Sequence, residues 1–271
     1  MPSFDDRTVA RLWAVVVALL VSGIGLGAGV GLVLALSLLL VGLGMEPSPL
    51  ALLVVSLVSV QGVAFGGVAV GYLLVRGWTL ADLGVHLPST RDLLAVVVGY
   101  VMALLAAITG AVIISMTGVP AGENQVGEFA SADPTVLLWL IPASFLLIGP
   151  GEELLFRGIV QGRLRETFDP VPGVVLASAL FAAIHFVALT GGAGGRLVTV
   201  TILFFPALVF GTVYELTDNL VVPALVHGAY NATLFSLAYL AFRLSESGAL
   251  PEDPGTGGAA LLTDCVAALP V

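Results

Sequence analysis

Apolar residues run along this chain in seven long blocks, with short polar connections between them and no strict alternation inside them. The blocks extend from about Ala10 to Gly44, Ser48 to Val75, Asp92 to Thr117, Pro134 to Val160, Val171 to Leu189, Leu197 to Tyr214 and Leu220 to Phe242. Each is close to or above the roughly 20 residues that a helix rising about 1.5 Å per residue needs to cross a bilayer core. A backbone in lipid has to satisfy its own hydrogen bonds, so the blocks are predicted to be helices. The first is too long for a simple crossing, which predicts tilt or extension past the membrane. It is also too long for a secretory h-region and has no small-residue cleavage site behind it, so it reads as a signal anchor. The predicted fold is an all-α polytopic membrane protein, a bundle of about seven transmembrane helices, or eight if Gly258–Val271 folds back as a short interfacial helix.

Arginines orient these spans. Arg7 and Arg11 precede the first, Arg76 and Arg91 flank the connection between the second and third, and Arg163 and Arg165 follow the fourth. By the positive-inside rule these connections are cytoplasmic, with the N-terminus inside and the tail from Ser245 outside. Arg196 is the exception, falling on the nominally outer side. The polar content divides the chain into residues 1–133 (three packing spans), 134–244 (the chemically active spans) and 245–271 (an acidic, flexible tail). Gly23, Gly27 and Gly31, then Gly62, Gly66, Gly67 and Gly71, are spaced for close helix packing, within the bundle in preference to a dimer face.

Composition confirms the solvent and narrows the partners. The chain has 271 residues, 58% hydrophobic and only 10% charged, with a mean hydropathy of +1.10, so lipid has to cover most of it. Nine arginines, no lysine and eighteen acidic residues give no basic footprint for nucleic acid. The acidic connections suit a high-salt, halophilic cytoplasm. The single cysteine, Cys265, excludes an intrachain disulfide and any thiolate cluster.

Ionisable groups inside spans cost on the order of 2.5–3.5 kcal/mol each even on a lenient scale, and this chain concentrates them late. The fourth block carries Gly149-Pro150-Gly151-Glu152-Glu153 and Arg157, the fifth Phe181 and His185, the seventh His227 and Asn231. Glu153 and Arg157 are four apart and predicted to pair on one helix face. Glu152 is turned about 100° away and is suited to general-base work on water. His227 and Asn231 share a face and are placed to donate to an oxyanion or to hold a metal. Measured from the cytoplasmic helix ends, His227 lies roughly 10 Å deep and Glu152 and His185 nearer 20 Å. Convergence therefore requires tilt or a helix break, for which Pro150 and its glycines are the candidates. A lone Glu–Arg pair in a span is often bundle glue, and a lone histidine is usually a packing residue; the concentration argues for a site. His86, before Pro88, reads as surface structure.

Glu152-Glu153-x-x-x-Arg157, Phe181-x-x-x-His185 and His227-x-x-x-Asn231, in this order, resemble the three motifs of the CAAX protease and bacteriocin-processing (CPBP or Abi) family of intramembrane proteases, over about Val136 to Leu244. The resemblance implies an intramembrane cavity opening to the cytoplasm and an endopeptidase acting on a membrane-associated protein or peptide, including C-terminal CAAX-like substrates. Glu152 would be the base with His185 assisting, His227 and Asn231 the oxyanion pair, and Glu153 and Arg157 supporting residues. Members have been described both as zinc enzymes and as metal-independent glutamate proteases. Zn2+ would fall to Glu152, His185 and His227, but no His-Glu-x-x-His helix is present and the asparagine suits hydrogen bonding better. The competing functions are a proton-coupled transporter, against which no inverted repeat of the polar pattern is evident, and a catalytically silent scaffold.

Overall fold

The computed structural model describes residues 4–117 and 121–247. Cys265, the proposed interfacial helix at Gly258–Val271 and nearly all of the acidic tail lie outside the described residues.

Seven helical spans are present: Asp5–Gly42, Pro49–Arg76, Thr90–Ile113, Val136–Arg165, Pro170–Val187, Ala193–Thr217 and Val221–Glu246. The chain is an all-α polytopic membrane protein. Exposed leucines such as Leu19, Leu20, Leu34 and Leu105 stud the outer faces, as expected where lipid replaces water. Span six packs against three and five, and span seven against three and four. Spans four and seven thus run through the middle of the bundle, and the polar motifs ride on them. The connection between spans three and four contains a short helix, Gln125–Ala132. Beside it, β1 (Glu123–Asn124) pairs antiparallel with β2 (Leu189–Thr190), a feature with no hydrophobic pattern to announce it.

Span four runs past Val160 to Arg165 because its polar end finds partners. Arg165 Nε donates to Glu215 Oε1 at 2.9 Å, Arg163 pairs with Glu166, and Arg76 reaches Glu166 at 2.7 Å. This extension resolves the depth mismatch. A Cβ on Gly158 would lie 2.9 Å from Leu83 Cδ1 and 3.6 Å from Leu220 Cδ2, which puts these three residues in one layer. Glu152 and His227 are six and seven residues beyond that layer, about 9–10 Å each. Gly173 abuts Arg165 in the same way, and His185 lies twelve residues beyond Gly173 where Glu152 lies thirteen from Arg165. The three side chains reach one depth because the helices begin at different heights.

The expected break at Pro150 does not occur. Pro150 sits at the start of an α-helical turn, Gly149–Glu153, between two π-helical stretches, Ser144–Ile148 and Leu154–Gln161. The wider turns re-aim side chains without cutting the helix. Its glycines instead admit neighbouring backbones: a Cβ on Gly151 would lie 2.6 Å from Gln61 O, and one on Gly149 2.8 Å from Ala224 O.

The glycine series of span one is corrected. Gly23, Gly27 and Gly31 are exposed, and a Cβ added to any of them would meet nothing within 4 Å. The close approach is made by Gly25, against Leu155 and Phe65, and Gly29, against Val60. Both series have period four, and periodicity alone does not say which helix face meets the bundle. In span two, Gly62 meets Leu147 at 3.4 Å, whereas Gly67 and Gly71 have open space beside them.

Candidate active site

The three motifs converge. Glu152, Glu153, Arg157, His227 and Asn231 are at most 2% exposed and His185 is 7% exposed, so all six candidate residues are buried within the spans. They sit where two apolar clusters meet, one containing Phe210, Val226 and Tyr230 and the other Phe156, Phe181 and Ala207.

The predicted ion pair is present and has a second task. Arg157 Nη1 donates to Glu153 Oε1 at 3.1 Å and Nη2 donates to Ala207 O at 2.9 Å. The guanidinium lies over the rings of Phe181 and Phe210, 4.6 and 5.5 Å from their centroids. These contacts satisfy a charge that would otherwise be costly among apolar neighbours. The same Glu153 Oε1 also lies 2.8 Å from His227 Nδ1. A carboxylate already accepting from Arg157 is an acceptor here too, so Nδ1 carries the hydrogen. Glu153 therefore fixes the imidazole and leaves Nε2 as its free atom. Phe210 stacks on the ring at 4.6 Å and 18°, and Phe181 meets it edge-on at 5.9 Å.

His227 Nε2 is 3.7 Å from Glu152 Oε2, a separation that suits a bridging water better than a direct bond. The other Glu152 oxygen, Oε1, accepts from Gln61 Nε2 of span two at 2.6 Å. His185 Nδ1 lies 2.8 Å from Phe181 O. A carbonyl only accepts, so this nitrogen is the donor and Nε2 the remaining acceptor. His185 is also within electrostatic reach of Glu152 and His227.

Buried polar atoms are nearly always paired, which makes the exceptions informative. Nine buried side-chain atoms lack a partner among the described residues, and seven of them belong to Gln61, Glu152, Glu153, Arg157, His227 and Asn231. Both amide atoms of Asn231 are among them. Polar capacity is therefore held in reserve at one point of the bundle. Glu152, Glu153 and Arg157 together carry a formal charge of −1.

For zinc, Glu152 Oε2 and His227 Nε2 are two adjacent unpartnered donors, and the contact of His227 Nδ1 with Glu153 is compatible with ligation through Nε2. Among the described residues no three His, Cys, Asp or Glu side chains are grouped as metal ligands. A separate apolar cleft of about 260 Å³, lined by residues that include Leu80, Val85, Pro150, Leu154 and Leu220, contains none of the six motif side chains.

Sequence reasoning missed Gln61 and the aromatic wall Phe210 as parts of the site, and it named Phe181 only as a motif residue. Gln61 did leave a signal, as the one amide inside the second apolar block. His86 contacts Asn219 Nδ2 at 3.2 Å through Nδ1 and belongs to the connection between spans two and three, away from the cluster.

No curated protein and no solved structure matches the chain. The family model described as type II CAAX prenyl endopeptidase Rce1-like matches residues 134–233, the stretch that holds Glu152, Glu153, Arg157, His185, His227 and Asn231. Spans four to seven, which carry all three motifs, are thus similar over residues 134–233 to the type II CAAX prenyl endopeptidase Rce1-like family.

Proposed function

We propose that this protein is an intramembrane endopeptidase that hydrolyses a peptide bond in a membrane-associated protein or peptide, with CAAX-like C-terminal segments as the leading substrate class. The observation that carries the reading is the 3.7 Å gap between Glu152 Oε2 and His227 Nε2, two buried, unpartnered atoms on different spans. A water held between them is activated when Glu152 takes its proton. The resulting hydroxide attacks the scissile carbonyl. Asn231 Nδ2 and a protonated His227 Nε2 donate to the developing oxyanion, in a site where little reorganisation opposes them. Collapse of the intermediate breaks the C–N bond, and the leaving amine takes the proton from Glu152. His185 assists Glu152 through its free Nε2, while Glu153 and Arg157 hold His227. The cell membrane is the proposed location, with the N-terminus and the access route on the cytoplasmic side, following the arginine distribution.

The test uses the full chain in liposomes with internally quenched CAAX-type peptides, with and without a farnesylated cysteine. Wild-type protein is expected to cleave, and Glu152→Gln, His185→Ala and His227→Ala to lose cleavage while remaining folded. Normal turnover by Glu152→Gln, or no Glu152-dependent cleavage of either peptide, would refute the reading. The metal-free mechanism predicts that turnover survives chelation and that zinc stays well below one per chain by elemental analysis. Loss of activity on chelation, restored by Zn2+, would overturn that part.

A further inference from the structure

We infer that Gln61 is a positioning residue for Glu152, so that span two completes a site otherwise built from spans four, five and seven; the inference rests on the peptidase reading above. Gln61 is 6% exposed, and its Nε2 donates to Glu152 Oε1 at 2.6 Å. This hydrogen bond settles which carboxylate oxygen is engaged. With Oε1 occupied, Oε2 is the oxygen left facing His227 Nε2. A carboxylate rotor in a cavity would otherwise present either oxygen, and reactions of this kind lose about 10²-fold for a displacement near 1 Å.

The local backbone is built for this contact. Gln61 sits in the middle of a π-helical stretch, Val58–Phe65. Such widened turns are rare and are found most often at functional sites. Gly151, the residue before Glu152, has no side chain, so span four lies directly on the Gln61 main chain: a Cβ there would be 2.6 Å from Gln61 O and 3.3 Å from Gln61 Cβ. The amide is thereby held at a fixed distance from the carboxylate it serves. A purely structural glutamine in an apolar span would be expected to satisfy both ends, yet Gln61 Oε1 has no partner among the described residues. This side chain is aimed at Glu152 at the expense of its own acceptor.

The experiment compares wild type, Q61M, Q61E and E152Q in the liposome assay, with thermal unfolding recorded for each preparation. Q61M keeps length and burial but removes the donor. Its kcat is expected to fall about 10- to 100-fold with KM within roughly twofold, beside a small fall in melting temperature because the buried Glu152 Oε1 loses its donor. Q61E sets a carboxylate against Glu152 and is expected to fall at least as far. Wild-type kcat in Q61M, or a rise in KM with kcat unchanged, would each overturn the inference. If E152Q turns over normally, the peptidase reading and this inference fall together. If E152Q is inactive while Q61M is not, only the inference falls.

Discussion

Glu153 and Arg157 give a double-mutant cycle that separates stability from catalysis. Glu153→Gln leaves the Arg157 guanidinium, 1% exposed, without a hydrogen-bonded carboxylate, its remaining partners being Ala207 O, two ring faces and a neutral amide. Breaking a buried ion pair in this way costs about 3–5 kcal/mol. At a few degrees per kcal/mol for a chain of this size, that is a fall of roughly 6–20 °C in melting temperature. Arg157→Met is expected to cost less, because Glu153 keeps His227 Nδ1 at 2.8 Å. The double variant removes both charges and replaces them with groups of similar volume. It should recover to within about 1–1.5 kcal/mol of wild type, as substitution of buried pairs by well-packed neutral residues commonly does. Activity should not recover with it. Without the Glu153 carboxylate, His227 loses the acceptor that sets its ring and tautomer, and loss of such an orienting carboxylate costs on the order of 10⁴ in kcat in a serine-protease triad. The assays are thermal unfolding in mild detergent and cleavage of the quenched peptide by all four proteins. A double variant as unstable as the sum of the singles would refute the coupling, and a stable, active Glu153→Gln would refute both roles assigned to this residue.

Further expectations concern the rest of the site and its cytoplasmic support. Asn231→Ala should lower kcat by about 10²–10³ with little change in KM, the usual cost of losing one oxyanion donor; equal KM and kcat effects would point to ground-state binding instead. Gly84 has a φ of +68°, and a Cβ added there would lie 2.0 Å from Asp218 O, so Gly84→Ala should separate the connection after span two from the turn before span seven, with a clear fall in melting temperature. In that same connection the backbone N–H and hydroxyl of Thr79, 2.7 and 2.8 Å away, hold the Asp82 carboxyl below the usual carboxylate range. A lowered folded-state pKa stabilises above the unfolded value of about 3.9 and is lost as pH falls through the folded value. Amide protection across Thr79–Val85, taken relative to the intrinsic exchange rate at each pH, should therefore be constant from about pH 7 to 5 and fall only in the acid range below about 4.

Length and hydrophobicity alone determined the seven spans, because a backbone in lipid has few ways to satisfy itself and a helix of some twenty apolar residues is the simplest. The Glu153–Arg157 pair was also readable, since residues four apart share a helix face wherever the helix goes. The resemblance of three short motifs named six polar side chains to look for, and the structure buries all six within the spans. Relative helix heights were not readable: depths counted from helix ends placed His227 and Glu152 about 10 Å apart, until packing at Gly158 and Gly173 gave a common reference. Nor was the face of span one, where Gly25 and Gly29 make the close contacts instead of Gly23, Gly27 and Gly31. The tertiary structure alone decided that Glu153 holds His227 and that Gln61 reaches Glu152 across 91 positions of sequence. Periodicity is a property of one helix and can say which residues share a face. Which face meets which neighbour, and at what height, is set by side chains from several helices at once.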